Sequence, residues 1–224
     1  MFYKLLLGIH VVAGNIALLS AVGAVVFAKG GRAHAWSGRA FAIGMTIIFL
    51  TAVPMALIRP NLFLLLIALF NFYLVSTGWL RAKNRSGVPK PSEWVLAGAM
   101  ALVAIGMAGR GAMMLGAGAS MGVVLIVFAA IGGLLAFRDL SGLRAHAFRG
   151  KERVVSHLNR MLGGMIGAIT AFLVTNVRLE PAFVLWLLPT ALLTPVIIYW
   201  TRRVRGPARP ARKEPAYVQT PVGS

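Results

Sequence analysis

Apolar residues in this chain come in seven long, unbroken runs, separated by short stretches where charge is concentrated. A helix crosses the roughly 30 Å hydrocarbon core of a bilayer with about 20 apolar residues. Windows of that size cover residues 5–28, 40–58, 61–80, 94–112, 119–137, 161–177 and 182–200. None alternates polar and apolar positions at period two, as a membrane-spanning strand does. The pattern predicts an all-α, polytopic membrane helix bundle of seven transmembrane helices over residues 1–203. A disordered basic tail is expected over residues 204–224, where prolines and cations leave little that can pack. The first run outlasts the roughly 7–15 apolar residues of a signal-peptide core, so it is expected to be a permanent helix.

Local chemistry marks the boundaries. Arg59-Pro60 separates the second and third runs, and Ser92-Glu93 suits the start of the fourth helix. Gly116 and Gly118 punctuate the turn into the fifth, and Pro181 suits the first turn of the seventh. Pro54, Pro189 and Pro195 fall inside runs, where neighbouring groups must satisfy the freed carbonyls. Gly163 and Gly167 have the spacing that lets two helices approach closely, here expected as ordinary bundle packing. The stretch 140–155 is expected as the longest internal loop, lying along the membrane surface and leading into an extended sixth helix. Arg-Ala-His-Ala occurs at residues 32–35 and again at 144–147, too short an echo to define a repeat.

Composition agrees with this reading. Hydrophobic residues make up 58% of the 224, against roughly 45–50% in soluble domains, and lipid is the solvent that accepts the surplus. The formal net charge is +18. In a soluble chain that value points to nucleic acid, but here no stacking aromatic pattern accompanies it. The cations lie instead in short loops and the tail. Nineteen lysines and arginines fall on one side of the predicted membrane and four (Lys4, Arg59, Arg110 and Arg178) on the other. The positive-inside rule then predicts the N-terminus outside and the C-terminus in the cytoplasm, with anionic headgroups as partners at the cytoplasmic face. Trp36, Trp79, Trp94 and Trp200 sit at the same span ends, as an interfacial aromatic belt requires.

Candidate chemistry is sparse. Without cysteine, thiolate metal sites and disulfides are excluded. The five acids Glu93, Asp139, Glu152, Glu180 and Glu214 all read as lying at helix ends, in loops or in the tail. Intramembrane carboxylates, the usual parts of ion pathways, are therefore not expected, and neither are catalytic residues or a metal site. Histidine remains. His10 lies in the first run and needs a hydrogen-bond partner, with Asn71, Tyr73 and Arg110 as candidates. His34 and His157 each precede a run entering from the cytoplasm, and each is followed by an arginine, Arg39 and Arg160. Such a set suits an anionic headgroup, a phosphate, or a haem b held between His34 and His157. Ordinary interfacial anchoring explains the same residues. In the third run Asn71, Tyr73 and Thr77 either line a polar pocket with His10 or make interhelical hydrogen bonds.

Several of these residues together carry a likeness. His10 with Gly14, Lys29-Gly30, His34, Gly38-Arg39, Thr77-Gly78, His157 with Arg160, Asn176, Pro189 and Tyr199-Trp200 resemble the bacterial predicted membrane proteins grouped as domain of unknown function 2306. The similarity runs from about His10 to Arg203. It implies a multi-helix inner-membrane protein and favours His10, His34, Arg39, His157 and Arg160 over other polar positions, without implying a reaction. The expected role is accordingly a non-enzymatic one, binding a small molecule or lipid in a His/Arg-lined pocket. The alternatives are a b-type haem or quinone-linked electron-transfer protein and an uncoupled small-molecule transporter.

Overall fold

Each apolar run forms one helix in the computed structural model, which describes residues 1–206. The helices are α1 (Phe2–Val26), α2 (Arg32–Ile58), α3 (Leu62–Lys83), α4 (Pro91–Gly116), α5 (Gly122–Arg144), α6 (Gly150–Asn176) and α7 (Phe183–Arg205). All seven are long and apolar enough to cross a membrane, and no strand occurs among the described residues. Large apolar side chains such as Leu19, Ile43, Leu102, Ile105 and Phe137 point outward. Water would penalise that surface, whereas acyl chains match it. The chain is a multi-pass membrane protein. Short connections reverse its direction after every helix, so the loops at 27–31, 84–90 and 145–149 gather at one end with the C-terminus of α7. We call this the basic end.

At the basic end the helices overrun the apolar windows. α2 begins at Arg32 rather than at residue 40, α5 continues to Arg144, and α6 begins at Gly150. The expected long loop over 140–155 shrinks to five residues, 145–149. A hydropathy window measures the hydrocarbon crossing, but backbone hydrogen bonding continues into the interface, where arginine, lysine and glutamate are good helix formers. For the same reason α7 runs past residue 203, into the stretch read as tail. Arg205 forms a two-pronged ion pair with Glu152 of α6, at 2.9 and 2.8 Å. The rest of the tail lies outside the described residues.

α1 packs on α2 and α4 on α5, while α3 and α6 pack together between the two pairs and α7 lies against α6. α3 touches α2, α4, α5 and α6, so it belongs to both hydrophobic cores. One core joins Phe70 and Tyr73 of α3 to Met100 and Met107 of α4 and Leu125 and Phe128 of α5. The other joins Ala17, Ala21, Phe41 and Met45 of α1 and α2 to Val75 of α3. Small residues bring α3 and α6 together: Gly78 faces Arg160 and Met161, Gly163 faces Leu74, and Gly167 faces Asn71. The Gly163/Gly167 spacing thus serves close packing within the chain.

Candidate functional site

A buried ionic cluster lies toward the basic end, where α3, α4, α5 and α6 converge. Arg81 of α3, Glu93 of α4, Asp139 of α5 and Arg160 of α6 are each at least 96% buried. Arg81 binds Glu93 directly and approaches Asp139 at 3.6 Å, and Arg160 meets Asp139 at 2.8 Å. The Tyr73 hydroxyl donates to the second Asp139 oxygen at 2.7 Å. Glu93 also accepts from the Lys90 backbone N–H at 2.8 Å and from Asn84 at 3.2 Å, which secures the start of α4. Two positive and two negative charges cancel. Burial of one alone would cost several kcal/mol, so the four are interdependent.

Aromatic rings close the cluster. The Arg81 guanidinium lies 3.6 Å from the Phe148 ring centroid in the 145–149 loop, and that of Arg160 lies 5.0 Å from the Tyr73 ring. Arg160 also donates to the Leu135 carbonyl at 3.1 Å. Arg81 Nε and Arg160 Nη1 remain buried without a partner among the described residues.

Sequence reasoning missed most of this cluster. Asp139 lies two positions beyond the fifth apolar window and reads as a loop residue, yet it is inside α5 and 1% exposed. Glu93 reads as a surface cap and is 2% exposed. Asp139 thus lies five residues before the end of α5 rather than in a loop. No sequence signal marked the pairing, because Arg81 and Arg160 are buried only once the four helices pack, and the acid nearest Arg160 in the chain is Glu152 rather than Asp139.

The predicted residues divide between locations. His157 is half-buried beside the cluster, and its Nδ1 lies 2.9 Å from the Gly78 carbonyl of α3. His34 is half-buried on α2, with Nδ1 2.9 Å from the Ala24 carbonyl of α1. A carbonyl only accepts, so Nδ1 is the protonated nitrogen in each, and the lone pair of the neutral ring sits on Nε2. Among the described residues no hydrogen bond engages either Nε2.

His10 is elsewhere. Its Nδ1 lies 2.9 Å from Thr51 Oγ1, and because Thr51 donates to the Ile47 carbonyl at 2.8 Å, the imidazole is the donor here too. Neither Asn71, Tyr73 nor Arg110 is its partner. Tyr73 turns to Asp139, and Thr77 bonds back to the Tyr73 carbonyl at 2.7 Å. Asn71 bonds its own helix at 3.1 Å, with Oδ1 buried and unpaired against α6. Arg39 is exposed over Trp36, and His146 is exposed in the 145–149 loop. Of the predicted set, His34, His157, Arg160 and Tyr73 gather toward the basic end, while His10, Asn71 and Arg39 do not join them.

Among the described residues no group of three or more histidines, aspartates and glutamates is arranged to hold a metal ion. No family model, curated protein or solved structure matches the chain.

Proposed function

We propose that this protein is a binding protein of the bacterial inner membrane. In this reading it lies N-terminus outward and holds a small molecule or lipid headgroup at its cytoplasmic end through His34 and His157. One observation carries it: two half-buried imidazoles on different helices, each locked through Nδ1 to a backbone carbonyl with Nε2 uncommitted. A hydrogen bond at one ring nitrogen fixes the tautomer and aims the other nitrogen at a ligand. The neutral Arg81–Glu93–Asp139–Arg160 cluster holds α6, and with it His157, in place.

The same Nδ1–carbonyl lock favours a second reading, a b-type haem with His34 and His157 as axial ligands, because haem-ligating imidazoles are oriented this way. Protein purified in detergent from haem-replete cells separates the two. A Soret band that shifts on reduction and vanishes in His34→Ala and His157→Ala supports haem. A colourless protein that retains a non-protein mass dependent on both histidines supports small-molecule or headgroup binding. A colourless protein retaining nothing overturns both readings.

A further inference from the structure

Asn15 of α1 is a polar side chain exposed at the middle of a membrane-spanning helix. The helical rise sets it about 20 Å from Phe2 and about 17 Å from Val26, the two ends of α1. That puts it near the centre of the roughly 30 Å hydrocarbon layer, where lipid supplies no hydrogen-bond partner. Its Nδ2 donates to the Val11 carbonyl of its own helix at 2.9 Å. The second Nδ2 hydrogen and Oδ1 have no partner among the described residues. Gly8, Val12, Asn15, Leu19, Val22 and Val26 are all exposed, and they follow one another at alternating intervals of four and three. That spacing is the seam of a two-helix coiled coil, in which a lone asparagine fixes register and oligomeric state. The other side of α1, with Ala13, Ala17 and Ala21, is buried and packs on α2. α1 thus carries two packing faces, and the fold of one chain uses one of them.

The amide identifies what covers the second face. Two copies inserted in the same orientation are related by a two-fold axis along the membrane normal, which sets each seam residue against itself. Asn15 then meets Asn15 of the second copy at equal depth. Each amide is both donor and acceptor, so each supplies what the other lacks. A different partner would need a polar group of its own at this depth, and a second copy has one there already. Gly8 has nothing within 4 Å of the place a Cβ would take, so two backbones can approach there. Lys4, the charge nearest the seam, is exposed at the helix end, where its ammonium group reaches water.

We propose that the chain forms a parallel homodimer through this face of α1, held at mid-membrane by reciprocal hydrogen bonds between the two Asn15 amides. The interface does not involve the histidine pair. Because the chain has no cysteine, single-cysteine variants of the full chain report one position each under mild oxidation of membranes isolated from expressing cells. Leu19→Cys should give several-fold more disulfide-linked dimer than Ile16→Cys, which is also exposed on α1 but lies off the seam. Adding Asn15→Leu to Leu19→Cys should lower that yield several-fold. Adding Asn15→Gln, which keeps an amide, should lower it less than Asn15→Leu does. Equal yields from Leu19→Cys and Ile16→Cys, a yield indifferent to Asn15→Leu, or a linked product whose mass is not twice that of the chain would overturn the proposal.

Discussion

Arg160 of α6 reaches Asp139 of α5 at 2.8 Å although the backbones of those two helices make no close approach to each other. The Arg160 side chain spans the gap, across the end of α3, to the Asp139 carboxylate and to the Leu135 backbone carbonyl. Tyr73 completes it by donating to the other Asp139 oxygen, and Arg81 extends it to Glu93 of α4. Four helices are thus tied at one level by charges that have little other means of satisfaction. Removing one partner strands the others.

Asp139→Ala leaves two guanidiniums facing each other with only Glu93 to balance them. Loss of a buried partner costs about 3–5 kcal/mol. Unfolding in detergent, followed by circular dichroism against denaturant, should show that loss. Glu152→Ala, which breaks the half-exposed pair with Arg205, should cost under about 1 kcal/mol. Equal effects of the two substitutions would show that the cluster does not hold the helices.

Helix contact in the half of the α4–α5 pair remote from the basic end depends on Gly122, where a Cβ would strike the Gly111 backbone carbonyl and the Leu115 backbone nitrogen. Backbone cannot step aside as a flexible side chain can. Gly122→Ala should destabilise by about 1–3 kcal/mol, the range for overpacking. Gly98→Ala on the same pair meets open space and should be neutral or stabilising by up to about 1 kcal/mol, because alanine is the better helix former. The same denaturant titration checks both.

Orientation follows from charge. A reporter active only in the periplasm should be silent when fused after Arg85, in the loop between α3 and α4, and active when fused after Arg178, between α6 and α7. The reverse activities would invert the topology and move the histidine pair to the periplasmic end.

The seven helices were legible in the sequence because each rests on some twenty consecutive side chains agreeing about their solvent, a signal no single residue can erase. Their ends were less legible. Arg32, Asp139 and Lys151 are polar, yet helical hydrogen bonding continues through them. That misplacement hid the cluster: with α5 ended at Phe137, Asp139 became a loop residue and its partner Arg160 became an interfacial anchor. His34 and His157 were visible as candidates because both precede spans entering from the same side. Their carbonyl partners, Ala24 and Gly78, carry no sequence signal, since any residue supplies a backbone carbonyl and only packing decides which is near. His10 found Thr51 instead of a third-helix partner because α1 packs chiefly on α2.

The proposal that His34 and His157 share a ligand is tested most directly by native mass spectrometry of protein released from detergent straight after extraction from membranes. The wild type should carry a bound non-protein mass that is lost in His34→Ala and in His157→Ala and kept in His10→Ala and His146→Ala. A wild type without bound mass, or a mass indifferent to His34 and His157, would contradict the account.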